Sequence, residues 1–166
     1  MKAEVTRCRL KNSSKTLYKL LKVIMPILEY HLAEDCYSDQ QVKELLESSS
    51  ELYAKVLACP IERVRVFANF YKKQHIAVAG KLMTEGGEPA PYFHFLVLEG
   101  RPIESCHELL TRFTDLVANI LKVERSWIRG GCWPIPPQYW AIGGHPASLV
   151  RAVEIASRIE VGKNKS

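Results

Sequence analysis

The sequence predicts an α/β (α+β) domain built as a duplicated βαβ unit, in which four strands share one sheet and both helices cover one face. Three observations predict it. Apolar residues alternate in short runs that open at a proline, and a stripe of apolar residues at helical spacing follows each run. Proline, helix and arginine then recur in step, from Pro26 to Arg65 and again from Pro91 to Arg129.

The first strand runs from Ile27 to Leu32 and ends at the polar stretch Ala33-Glu34-Asp35, with Pro26 at its opening residue, a position that tolerates proline. Ser38 followed by Gln41 matches a capping box at a helix start. From there Val42, Leu45, Leu46, Leu52, Tyr53, Val56 and Leu57 form a stripe as far as Cys59-Pro60. Arg63 to Phe70 alternates again and predicts the second strand, with His75 to Gly80 as a short return strand. The polar link Thr84 to Ala90 punctuates the chain.

The second half repeats this plan. Pro91 to Leu98 is a strand opened by proline, Glu99-Gly100-Arg101 a turn, and Pro102 the first residue of a helix. Ile103, Cys106, Leu110, Phe113, Val117, Ile120 and Leu121 make its stripe, and Trp127-Ile128-Arg129 begins the next strand. Trp133 to Gly144 is too rich in proline for a central strand and predicts a rigid loop ending in a glycine hairpin or bulge. Pro146 to Ile159 has the spacing of a terminal helix. The predicted organisation is a basic extension over 1–25 and one domain over 26–166, divided into halves 26–90 and 91–166. A helix joining two strands of one sheet implies parallel pairing with a right-handed crossover. The sheet face without helices carries aromatic and apolar side chains, which predicts an oligomer that covers it.

Composition narrows the function classes. The chain has 166 residues, 47% of them hydrophobic, and a formal charge of +5. Residues 1–25 account for all of that excess, since Lys2, Arg7, Arg9, Lys11, Lys15, Lys19 and Lys22 face Glu4 alone there. The body is close to neutral and is not a nucleic-acid surface. The five cysteines are scattered without a paired spacing, which predicts reduced thiols in a cytoplasmic protein. The five histidines show no ligand spacing, so neither a metal site nor a cofactor is predicted. No apolar run is long enough to span a bilayer.

The chemistry turns on Pro26. If the chain began there, the ring nitrogen would be a free secondary amine rather than an amide. An α-amino group titrates near about 8 in model peptides, and cationic neighbours or an apolar pocket lower that value. Such an amine is a general base at neutral pH. Three readings of residues 1–25 bear on it: sequence upstream of a start at Met25, a cleaved targeting segment, or a retained basic amphipathic arm with Leu17, Leu20, Leu21 and Ile24 at helical spacing. Only the first two free the nitrogen. Taken singly, Met25-Pro26 also fits an ordinary strand start, and Arg65, Arg129 and Trp140 fit surface, core or interface positions.

Taken together the residues resemble the tautomerase superfamily, which uses an amino-terminal proline as its catalytic base. Pro91, Leu98-Glu99-Gly100-Arg101, Ile128-Arg129 and Trp140-Ala141-Ile142-Gly143-Gly144 line up with the short 4-oxalocrotonate tautomerase pattern; Pro26, Leu57-Ala58-Cys59-Pro60 and Val64-Arg65 line up with one inserted residue. The resemblance implies two fused βαβ units assembled as a homotrimer. It implies a cofactor-independent tautomerase or isomerase that moves a proton on a small 2-oxo acid or its enol. Pro26 is then the base, and Pro91, internal to the chain, a structural relic. Arg101 would hold the substrate carboxylate, Arg65 or Arg129 would polarise the carbonyl, and Trp140 would wall the pocket. Guanidinium groups suit these tasks because they bind carboxylates bidentately and stabilise an enolate oxygen.

Departures from the pattern are informative. Cys36-Tyr37 stands where the first half would offer Gly-Arg, and Ile76 to Gly80 where the aromatic-glycine segment would lie, which implies one active site per chain. The cis-3-chloroacrylate dehalogenases would want histidine at Tyr53 and arginine at Leu98, and malonate semialdehyde decarboxylases an acid at Arg63 and arginine at Glu99. Tyr53 with Glu29 is left as a means of orienting water. The alternatives are a hydratase or decarboxylase with a protonated Pro26, and a silent trimeric scaffold that retains residues 1–25.

Overall fold

The computed structural model describes residues 26–152. The basic extension over 1–25, with its three readings, and the part of the expected terminal helix beyond residue 152 lie outside the described residues. The chain divides into two compact units, one spanning Met25–Ile135 and one that includes Pro136 onward.

The first unit holds strands β1 (Ile27–Ala33), β2 (Arg65–Tyr71), β5 (Tyr92–Leu98) and β6 (Arg129–Ile135), with helices α1 (Asp39–Val56) and α2 (Ile103–Leu121). They form a single four-stranded sheet in the order β2-β1-β5-β6. Each βαβ unit pairs its own strands in parallel, β1 with β2 and β5 with β6, and the two units meet antiparallel along β1 and β5. A short hairpin, β3 (Ala77–Val78) with β4 (Lys81–Leu82), follows β2. It takes the place of the single return strand expected there.

Alternation along the strands decides which face each residue serves. Leu28, Tyr30 and Leu32 on β1 and Phe93, Phe95 and Val97 on β5 are buried against Leu45, Leu52 and Tyr53 of α1 and Leu109, Phe113 and Val117 of α2. Both helices therefore lie on one face. Within α2, Leu109 rather than Leu110 enters the core, and Ile103 stays exposed. The capping box at Ser38 and Gln41 forms as the sequence predicts, and Gln41 reaches further, its Nε2 donating to the Ile120 carbonyl at the end of α2 at 2.8 Å. One side chain thus closes the start of one helix and the end of the other. Pro102 caps α2 with an extended ψ of 136° instead of entering it as its first residue.

Two elements differ from the periodicity. A 3-10 turn precedes each outer strand, Ile61–Arg63 before β2 and Arg125–Trp127 before β6, so the strands begin at Arg65 and Arg129. Strand β6 continues through Trp133-Pro134-Ile135, where a loop is expected. β6 is an edge strand, so the missing N–H of Pro134 is tolerated there. The second unit carries a 3-10 turn at Pro137–Tyr139, a hairpin of β7 (Ala141–Ile142) and β8 (His145–Pro146), and the short helix α3 (Ala147–Val150). The glycine hairpin expected at Gly143-Gly144 is present.

The face of the sheet without helices carries Phe67, Tyr71, Tyr92 and Trp133, which are between 36% and 50% exposed.

Candidate active site

Antiparallel pairing of β1 with β5 sets Ile27 opposite Leu96, so Pro26 at the entry of β1 stands beside the exit of β5. There Gly100 adopts a φ of +86°, a left-handed conformation that glycine takes without steric cost. Beyond this turn Arg101 donates from Nη1 to the Leu57 carbonyl at 3.3 Å, just past the end of α1. One helical turn earlier, the fully buried Tyr53 donates its hydroxyl to the Leu96 carbonyl at 2.6 Å and lies 3.5 Å from the Ile27 carbonyl. Pro26's strand entry, Tyr53 and Arg101 thus share one corner of the unit.

Electrostatics separates their roles. The Tyr53 hydroxyl is held well above its ordinary pKa, because burial disfavours the phenolate and Cys132 adds to that, while the Arg101 charge opposes both. Tyr53 is therefore a hydrogen-bond donor there, not a base.

Arg65 lies next to Pro26 along the backbone: its N–H donates to the Pro26 carbonyl at 2.9 Å. Its guanidinium turns back on the preceding 3-10 turn and donates from Nη1 to the Glu62 and Val64 carbonyls, both at 2.8 Å. Arg129 repeats this at Pro91, whose carbonyl accepts from the Arg129 N–H at 3.1 Å, with Nη1 donating to Ser126 and Ile128 at 2.6 and 3.0 Å. Within one chain, then, Arg65 accompanies Pro26 and Arg129 accompanies Pro91.

The exit of β1 near Pro91 is different. Asp35-Cys36-Tyr37 stands where the other corner has the glycine–arginine turn, and burial together with Cys36 pushes the Tyr37 hydroxyl up to about 12. A cavity of about 140 Å³ there is lined by His31, Tyr37, Tyr71, Pro91 and Tyr92 among others. Trp140 belongs to the second unit, where it leads into β7 and its carbonyl accepts from the Ala147 N–H at 2.7 Å.

One cluster escapes the sequence reading. Glu29, His31 and His94 bring a carboxylate oxygen and two ring nitrogens within 4.8 Å of one another on the helix-free face. Glu29 and His31 stand two apart on a strand, a spacing that shares a face. Only the β1–β5 register, which sets Glu29 opposite His94, completes the group.

No family model matches the chain. It is 38% identical over 66 residues to the 2-hydroxymuconate tautomerase of Pseudomonas putida, a match covering 40% of this chain and 92% of that protein. Among solved structures it is similar to native fused 4-OT, with a TM-score of 0.70, 26% identity, and 77% of this chain and 98% of that one covered. It also shares the fold of the F6 fused 4-OT wild-type asymmetric trimer, with a TM-score of 0.68, 20% identity, and 75% and 98% covered. A match over 40% of this chain and nearly the whole of that relative, together with superposition on a fused structure, agrees with the two βαβ units seen here. The chain belongs to the tautomerase superfamily, in its fused form.

Proposed function

We propose that the protein is a cofactor-independent tautomerase that transfers a proton within a small 2-oxo acid or its enol, with Pro26 as the general base once its nitrogen is free. The observation that carries this reading is the shared corner of the Pro26 strand entry and the Arg101 turn, without an equivalent arginine turn at Pro91. A carboxylate held by Arg101 would lie within reach of an amine at Pro26. Arg65 or Arg129 polarises the carbonyl, and Trp140 shields the reacting atoms from water. The proline nitrogen takes a proton from the enol oxygen or an α-carbon and returns it to another carbon of the same molecule, so no net redox change occurs. Cationic guanidinium groups lower the amine's proton affinity and stabilise the enolate in the same step.

The activity named for the Pseudomonas putida relative supports 2-hydroxymuconate as the first substrate to test. The trimeric state named for the fused 4-OT structure, together with the aromatic helix-free face, supports a homotrimer. Among the described residues no helix is long and apolar enough to cross a membrane, and Cys36, Cys106 and Cys132 are free thiols. These fit a cytoplasmic enzyme.

The deciding measurement is the intact mass of protein from its native cells, followed by turnover of 2-hydroxymuconate by that species. A mass beginning at Pro26 with turnover that falls on acidification supports the neutral amine as base. Turnover that rises on acidification points instead to the protonated amine of a hydratase or decarboxylase. A mass retaining residues 1–25 removes the base and leaves a binding scaffold.

A further inference from the structure

We propose that Glu29, His31 and His94 form a site for a divalent transition-metal ion of the zinc type on the helix-free face of the sheet, apart from the Pro26 chemistry. His31 Nε2 and His94 Nδ1 face one another at 3.3 Å. Two nitrogens each about 2.0–2.1 Å from a tetrahedral zinc lie roughly 3.4 Å apart, so this pair already has the spacing of two ligands on one ion. The Glu29 carboxylate joins them within 4.8 Å and supplies the negative charge that a dication needs.

Each ligand is also held from behind. The second nitrogen of His31 pairs with the Tyr71 hydroxyl at 2.7 Å, which orients the ring and leaves Nε2 for the metal. Asn69 donates to Glu29 Oε2 at 3.1 Å. The His94 ring, 8% exposed, stacks on Trp133 with centroids 4.1 Å apart. Support of this kind behind histidine and carboxylate is what metal sites require. The donors come from β1 and β5, with supporting groups from β2 and β6, so the rigid sheet sets the geometry. Two imidazoles and one carboxylate favour zinc-like ions over calcium or magnesium, which take oxygen ligands.

The test uses the full chain, stripped by chelator and titrated with Zn²⁺ alone by calorimetry, with Co²⁺ as a spectroscopic stand-in. The expected result is one equivalent per chain and the visible bands of a four-coordinate nitrogen–oxygen site, with no thiolate charge-transfer band. His94→Gln and Glu29→Gln each weaken binding at least about tenfold, and Tyr71→Phe weakens it about 10–100-fold at unchanged stoichiometry. Circular dichroism melts establish that each variant folds; if His94→Gln does not, Glu29→Gln, at a less buried position, decides. Absence of a stoichiometric site overturns the proposal. So does unchanged affinity in a folded Glu29→Gln or His94→Gln variant, or a thiolate band that assigns the ion to cysteines.

Discussion

The carbonyl of Pro26 accepts the backbone N–H of Arg65 at 2.9 Å, and 3.1 Å separates the same atoms of Pro91 and Arg129. Each bond locks the entry of an inner strand to the entry of an outer one, and each arginine then folds over its own 3-10 turn. The two halves keep one frame and differ in what faces it. Arg101 comes to the Pro26 corner from β5, while Cys36 and Tyr37 stand at the Pro91 corner.

That asymmetry predicts unequal prolines. In protein that begins at Pro26, Pro26→Ala lowers kcat for 2-hydroxymuconate by about 10²-fold or more, the usual worth of a positioned general acid–base group. Pro91→Ala changes it by less than about threefold, since an internal proline nitrogen is an amide without basicity. Steady-state kinetics on the two variants check this, and equal losses would contradict a single working corner.

Arg101→Ala is expected to act mainly on substrate capture. Charge-assisted hydrogen bonds contribute about 1.5–3 kcal/mol, which corresponds to roughly a tenfold to hundredfold fall in kcat/KM. Arg101→Lys recovers part of it, because an ammonium keeps the charge without the bidentate geometry. A substrate lacking the carboxylate should show no difference between the variants and the parent. If it shows the same loss, Arg101 acts on structure instead, through the Leu57 carbonyl it holds.

Much of this frame was readable in the residues, because period-2 strands, period-3.6 helices and the Ser38–Gln41 box are local signals. What was not readable depends on neighbours. Pro134 argues against a strand unless that strand is an edge, and edge position is a tertiary fact. The 3-10 turns before Arg65 and Arg129 carry no apolar period, so alternation alone places each strand start two residues early. Glu29 and His31 share a face by spacing alone, but His94 joins them only through the register of a partner more than sixty residues away. The pairing of Pro26 with Arg65 and of Pro91 with Arg129 follows the repeat in the sequence, whereas Arg101 has no counterpart, because Cys36-Tyr37 stands at its place in the first half.

Gly130 offers a stability test of that repeat's packing. It stands opposite Phe93 in the β5–β6 register, and a Cβ there would lie 2.2 Å from the Phe93 Cζ. Phe93 is fully buried against Tyr30 and Phe113, so its ring has little room to move. Gly130→Ala is therefore expected to cost about 1–3 kcal/mol by overpacking. Denaturant unfolding measures it. The neighbouring Gly131→Ala, whose Cβ meets nothing nearer than 3.4 Å, serves as the comparison and should cost less.

Stability should also depend on pH through His31. Burial lowers its pKa, the facing His94 lowers it further, and Glu29 on the same strand raises it by less. Tyr71 and Tyr92 pack against the ring without adding a cation. The unfolded chain binds its proton near the ordinary value of about 6.5, and the folded chain only at lower pH. Between these values the unfolded state holds more protons, so stability rises with pH there. It is fully retained above about 6.5, is lost as pH falls through the lowered folded value, and changes no further below it from this group. The measurement is denaturant unfolding between pH 5 and 8 with chelator present, so that metal does not compete with the proton. His31→Asn should flatten the slope in that window. A slope unchanged by the substitution would assign the effect to other groups and remove His31 as its source.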